Sequence, residues 1–487
     1  MTDATAPAQG VASTATHPAD DGPGIEPLST GFRRYALWTL MIIYTLNFLD
    51  RQIVNILAEP IKKDLHLADW QLGMMTGLAF ALFYTVLGIP IARKAEKSNR
   101  PAIIGAALAV WSGFTMLCGF AQNFWHLVLA RIGVGVGEAG CTPPAHSLIT
   151  DYVPKEKRAS AIAFYSIGTP LGSLIGMAMG GLIADAYGWR AAFLVAGAPG
   201  LIFALLTFFT LPEPRKKLSA AMAAKATATI PLGAALAVLA SKKTFWLIAF
   251  AAAIKAFIGY GHAPFTASFF FRSHAGQIAE LSAWITGITG FSIGPIGTVG
   301  VALSVVSGTA GVLGVWLGGV IADKLGAKDL RAYVVVPAIA SLITIPIYIT
   351  GVSVPDATAA LLILALPAII GSLWYGPVYA TAQSIVQPQI RATCAAVLLF
   401  IINLIGLGLG PLFVGIISDL WAGGLLQQSG LTAADCGKAM LDANKAACGV
   451  AQAEGLRWAL IVSMGFNLIA FALFWLARKT IREEMVS

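Results

Sequence analysis

The chain has 487 residues, of which 57% are hydrophobic and only 11% charged, where a soluble domain carries roughly 25% charged residues. That composition excludes a water-soluble enzyme or binding module. The net charge of +8 sits mainly in short polar breaks between apolar runs, which reads as a topogenic signal rather than a nucleic-acid surface.

Residues 1–32 are rich in Ala, Thr, Pro and Asp, without a basic start or an apolar core segment. They are expected to form a disordered tail, not a signal peptide. Beyond them the sequence offers about twelve apolar stretches near the 20 residues needed to cross the hydrocarbon core. Six fill an N-terminal half over residues 33–211: Leu37 to Leu57, Leu72 to Ile91, Ala102 to Ala121, Trp125 to Ile149, Ala161 to Ala184 and Ala191 to Leu211. An Ala-rich linker with basic ends, residues 212–243, leads to a C-terminal half over 244–478 and a short tail, 479–487. The spans of that half are Trp246 to Phe271, Thr298 to Ala322, Tyr333 to Gly351, Ala359 to Gln383, Thr393 to Ser418 and Trp458 to Ala477. In lipid such segments satisfy their backbone only as helices, so the expected fold is all-α.

Lys and Arg cluster on alternate loops, from Arg33 and Arg34 through Arg93 and Lys324 to Arg478 and Arg482. Positive flanks stay on the cytoplasmic side, which predicts two cytoplasmic termini in a cell membrane, with Lys62 and Lys63 as an outer exception. No Asn-x-Ser/Thr sequon occurs. Cys118, Cys141 and Cys394 fall within spans; Cys436 and Cys448 share an outer loop where an oxidising compartment permits a disulfide.

One pattern, Gly-x-x-x-Asp, recurs at helix ends: Gly181 with Asp185, Gly319 with Asp323, Gly415 with Asp419, and Gly88 with Ala92 in the Asp place. The spacing from Gly88 to Gly319 nearly equals that from Gly181 to Gly415. Two similar halves follow, each of two inverted three-helix units, an architecture of secondary transporters. Gly73/Gly77, Gly172/Gly176/Gly180 and Gly314/Gly318 put small residues on one face for close helix packing.

Ionisable residues inside spans are costly and mark function by default. The first span holds Asp50 and Arg51, and Tyr44, Asn47, Arg51 and Asn55 form one helical stripe expected to line a central cavity. In the fourth span Arg131 and Glu138 lie two turns apart, with Gly133, Gly135 and Gly137 leaving their face approachable. A buried carboxylate beside a guanidinium is a candidate proton switch, so Asp50, Glu138 and Arg131 are the expected proton-coupling set. Lys255 and His262 share a face of the seventh span. Phe265, Trp374, Tyr375, Tyr379 and Gln383 complete the expected substrate wall. No metal-ligand cluster and no nucleophile triad appear in the pattern, so no cofactor, metal or enzymatic activity is expected.

Gly88-Ile-Pro-Ile-Ala92-Arg93-Lys94 after the second span and Gly319-Val-Ile-Ala-Asp323-Lys324-Leu-Gly326 after the eighth resemble the signature loops of the major facilitator superfamily. The resemblance implies gating by Arg93, Asp323, Lys324, Asp185 and Asp419, with Ala92 departing from the usual Asp. Asn47 to Gln52, the Arg131-to-Glu138 segment, Pro143-Pro144 and Asp151 further resemble the Spinster branch. That resemblance implies a proton-driven exporter of lysolipids or sphingosine-1-phosphate-like amphiphiles, with Asp50 and Glu138 as protonation sites, Arg131 as their partner and Arg51 meeting an anionic head group. The expected partners are protons, a lipid-like small molecule and the bilayer, with no nucleic acid, and the expected state is a monomer. A symporter of organic anions or sugar acids, or a multidrug exporter, remains open on the same scaffold.

Overall fold

In a computed structural model of the chain, residues 29–96, 98–154, 157–217, 232–387, 390–437 and 440–485 are described. Most of the expected N-terminal tail and the middle of the expected linker lie outside them. Among the described residues the fold is all-α.

Among the described residues ten helices are long and apolar enough to span a membrane, and the other two spans are visible once two breaks are read. The first to third spans are Thr30–Leu65, Asp69–Ala95 and Arg100–Cys118. The fourth is interrupted into Phe124–Glu138 and Thr142–Tyr152, because Pro143 and Pro144 lack the N–H groups that would carry the hydrogen-bond ladder through. Ser160–Thr210 holds the fifth and sixth spans, folded back at Gly188, whose φ of 81° suits glycine alone. The second half supplies Lys243–Ser273, Pro295–Gly326, Ala332–Ser353, Ala357–Ser384, Thr393–Gln428 and Asp442–Ala477. Apolar side chains such as Trp125, Leu205, Phe209, Trp316 and Leu362 point outward, the face expected of a protein solvated by lipid.

Three features depart from the sequence expectation. A surface helix, Ala275–Thr289, fills what reads as a loop before the eighth span. The twelfth span begins well before Trp458 and breaks at Gly465. Lys62 is not a stray outer charge: it is buried and donates to Asp69 at 2.5 Å.

The glycine stripes set the packing. A Cβ at Gly172 or Gly176 would meet the Thr45 or Leu49 carbonyl oxygen at 2.3 or 2.7 Å, which locks the fifth span on the first. Gly314 and Gly318 do the same against the Ile369 and Leu373 carbonyls of the tenth span. Gly73 and Gly77 join the halves, because a Cβ there would strike Pro411 and Leu407 of the eleventh span. Both partners of that seam carry a π-helical turn, Met74–Leu78 and Ile402–Leu409, a widening of the helix that recurs at functional segments.

The halves are bolted at the end of the bundle that carries the Cys436–Cys448 disulfide. There the Asp185 carboxylate accepts the backbone N–H groups of Ile296 and Gly297, at 3.1 and 2.5 Å. Asp419 takes those of Asp69 and Trp70, at 3.0 and 2.8 Å. Each is a carboxylate of one half on a helix N-terminus of the other, where the macrodipole favours negative charge. Gly181 and Gly415 allow the approach, since a Cβ on either would meet the facing backbone within 2.6 Å. Arg272 completes the seam, pairing at 2.7 Å with both Glu59 and Asp69 of the first half. At the opposite end no described residue lies within 4 Å of a Cβ at the equivalent positions, Gly88 and Gly319. Among the described residues the halves are closed on each other at the disulfide end and open at the other.

Candidate functional site

Four charges from the first and fourth spans form two crossed ion pairs. Arg51 meets Glu138, with Nε and Nη2 both 2.7 Å from Oε2. Arg131 Nη1 stands 3.6 Å from Asp50 Oδ2. Asp50, Arg131 and Glu138 are at most 2% exposed. Adjacent residues on a helix point about 100° apart, so Asp50 and Arg51 reach two different points of the fourth span. Arg131 and Glu138, seven residues apart, are spaced to receive them.

The two pairs differ in quality. Arg51 is fully engaged and lies over the rings of Phe48, Phe80 and Tyr84, at 5.4, 4.9 and 4.5 Å from their centroids. Phe80 also faces Arg131 at 5.2 Å, so one ring contacts both guanidinium groups. Both Asp50 oxygens, Nε and Nη1 of Arg131, and Oε1 of Glu138 have no hydrogen-bond partner among the described residues. Buried polar groups are almost always bonded, and an exception at a charged cluster points to a rearranging element. The glycines of the fourth span serve packing rather than leaving a face open. Gly133 and Gly137 abut Phe114 and Trp111 of the third span, and Gly135 abuts the Phe80 carbonyl.

Beside Arg51 a small cavity of about 60 Å³ is lined by Asn55, Phe80, Arg131 and Tyr260. It shares Gln52, Tyr260 and Ala263 with a larger cavity of about 380 Å³, a size within the usual range for small-molecule sites. The larger one belongs mainly to the second half. Its polar wall holds Lys255, His262, Ser372 and Asn467, and its apolar wall includes Leu303, Val306, Leu364 and Met464. Trp374 and Tyr375 border it where the tenth span is interrupted, between Gly371 and Tyr375.

Of the expected substrate wall, Arg51, Asn55, Lys255, His262, Trp374 and Tyr375 thus line one of these two cavities, and the others line neither. Asn47 is 1% exposed with its amide unpartnered. Tyr44 stacks on Tyr165 at 4.3 Å. Phe265 is a fully buried core residue, Tyr379 packs against the core of the second half, and Gln383 is exposed, its carbonyl taking Arg391 Nε at 3.1 Å. Periodicity names the face of a helix without naming the neighbour that covers it. Sequence reasoning missed Gln52, Phe80, Tyr84, Tyr348 and Asn467, neutral groups that become visible only once the spans are placed.

The expected gating residues divide by end. Asp185 and Asp419 bridge the halves at the closed end, while Arg93 and Lys324 are exposed at the open end. Asp323 accepts the Tyr333 hydroxyl at 2.8 Å, within its own half.

Residues 40–411 match the model of the Major Facilitator Superfamily. An MFS-type efflux pump of Mycolicibacterium smegmatis is 31% identical over 79% of this chain and 84% of its own length. A hexuronate transporter of Bacillus subtilis is 26% identical over 80% of the chain and 90% of its own length. Among solved structures, a bacterial homologue of the human lysosomal transporter Spinster, in an inward-facing and unoccupied conformation, superposes with a TM-score of 0.81 at 33% identity. It covers 94% of this chain and 100% of its own. The chain belongs to the Major Facilitator Superfamily of membrane transporters and, within it, resembles the bacterial Spinster homologue.

Proposed function

We propose that this secondary transporter moves an amphiphilic, lipid-like substrate in exchange for protons, with the crossed pairs Arg51–Glu138 and Arg131–Asp50 as the proton-sensitive element. The observation that carries the reading is that exchange of partners: four buried charges sum to zero, yet several of their polar atoms stay unbonded beside the central cavity. Protonation of Glu138 removes the charge that holds Arg51, and the freed guanidinium faces the cavity shared by the two halves. A proton on Asp50 likewise releases Arg131. Either event changes the relative cost of the two arrangements of the halves, which is all that a driving ion needs to do. A potential of 100 mV adds about 2.3 kcal/mol per charge moved, more than tenfold in population.

The greasy wall of the larger cavity, with few carboxylate or amide groups, favours an amphiphile over a sugar acid. The same wall suits a drug exporter, and the likeness to an efflux pump keeps that second reading in play. The basic loops favour a topology with both termini and the open end on the cytoplasmic side of a cell membrane, and the reading takes the chain as a monomer.

The test is flux of a labelled lysolipid into or out of proteoliposomes under an imposed pH gradient. The intact protein is expected to show gradient-driven flux, and Glu138→Gln and Asp50→Asn are each expected to lose it. Flux that survives both substitutions would make the carboxylates structural, and an inert intact protein would end the amphiphile reading.

A further inference from the structure

Lys255 is the anomaly of the second half. It is 6% exposed, deep in the seventh span, and its Nζ donates to Asn467 Oδ1 at 2.7 Å. Among the described residues no carboxylate pairs with it, unlike every other buried cation of the central bundle: Arg51, Arg131, Lys62 and Arg272 each have one. An ammonium carries three donors; among the described residues only Asn467 takes one of them, and Lys255 lines the cavity of about 380 Å³. A buried cation held by one neutral amide is an incomplete site.

The surroundings suggest what completes it. One turn-pair further along the same helix face, His262 Nε2 lies 2.7 Å from Ser463 Oγ, and Ser463 donates its own proton to the Leu460 carbonyl. Ser463 is therefore the acceptor, His262 carries its proton on Nε2, and Nδ1 remains available as an acceptor. The ring is held against Tyr348 at 4.7 Å. The rest of the wall, Leu303, Val306, Leu364 and Met464, is apolar.

We infer that Lys255, braced by Asn467, is a binding subsite for the anionic head group of an amphiphile, a phosphate or carboxylate, separate from Arg51 and built entirely by the second half. Arg51 is occupied by Glu138 in this conformation, whereas Lys255 offers two charge-assisted donors without breaking an existing pair. His262 Nδ1 accepts a hydroxyl of the same head group, and the tail runs along the apolar wall. The inference takes only the amphiphilic tail from the proposed function and is independent of proton coupling.

Equilibrium competition on the detergent-purified full chain tests it, with a labelled lysophosphatidate as probe and the monoacylglycerol of the same acyl chain, or inorganic phosphate, as competitor. The lysophosphatidate is expected to bind about tenfold or more tighter than the neutral analogue, with inorganic phosphate a poor competitor. Lys255→Gln is expected to erase that preference, and Lys255→Arg to retain it. Equal affinity of the intact protein for the charged and neutral lipids would overturn the inference without any variant. So would a preference that survives Lys255→Gln, and strong competition by inorganic phosphate would overturn its amphiphile half. Because binding is read without a gradient, a selective protein that moves no lipid sinks the transport reading and leaves the subsite standing. Gradient-driven flux without charge selectivity does the reverse.

Discussion

The two halves handle buried charge in opposite ways. In the first, Asp50, Arg51, Arg131 and Glu138 are exchanged between two spans so that the sum is zero. In the second, Lys255 has one amide and no carboxylate as its partner among the described residues. A balanced cluster is poised to change when one proton arrives, because neutralising any member strands its partner. An unbalanced cation is poised to receive an anion. On the proposed reading the labour of a secondary transporter is divided between its halves, the first reading protons and the second the charged end of the cargo.

The largest effect that would break this comparison is on stability. Glu138→Ala leaves Arg51 buried without its anion, and the expected loss is about 3–5 kcal/mol, read as thermal or denaturant unfolding in detergent. Were the loss no larger than that of an ordinary surface substitution, the pair would not be an energetic unit.

A smaller effect belongs to the first half's other charge cluster, at the open end. There Arg100 Nε donates to Glu213 at 3.0 Å, its Nη2 makes a further short contact with the same carboxylate, and Nη1 meets Asp151 at 2.7 Å. Burial alone would raise the Glu213 carboxyl, but the hydrogen bonds from Arg100 outweigh it and hold it below the ordinary glutamate value. A depressed carboxyl contributes stability that is complete above its unfolded value and is lost as the pH falls through the folded one. Glu213→Gln is therefore expected to cost about 1.5–3 kcal/mol at neutral pH. The gap from the parent protein should begin to close below about pH 4.3, where the unfolded carboxyl becomes protonated, and vanish once the pH is below the lower folded value. A gap that stays constant with pH would remove the charge from the explanation.

The smallest effect is the sharpest contrast. Lys255→Met removes a cation that has no anion to abandon, so its stability is expected to be unchanged or improved, within about 0.5 kcal/mol of neutral or above. A loss comparable to that of Glu138→Ala would erase the difference between the halves.

How much of this was legible beforehand depended on range. Apolar runs near 20 residues gave the spans, and the Gly-x-x-x-Asp repeats gave the two halves, because both are local patterns. The breaks at Gly140 and Ser372 and the surface helix Ala275–Thr289 were not seen. The helix is too short, with Leu281, Trp284 and Ile288 too sparse, to resemble a span. Arg131 and Glu138 were readable as neighbours on one face, yet the crossing of partners was hidden, since it depends on the register between the first and fourth spans. Asn47 and Phe265 sat on the expected faces and proved to be covered by other helices. Conversely, Asn467 and Ser463 carry no charge to betray them, and only the fold brings them to Lys255 and His262.

The central claim is that the first half's crossed pairs carry the proton. It is tested most directly by trapping a pH-sensitive dye inside proteoliposomes and adding lysolipid to one side without an imposed gradient. The intact protein is expected to convert downhill lipid movement into a change of internal pH, and Glu138→Gln to move lipid downhill with no pH change. Proton movement that persists in Glu138→Gln would contradict the account.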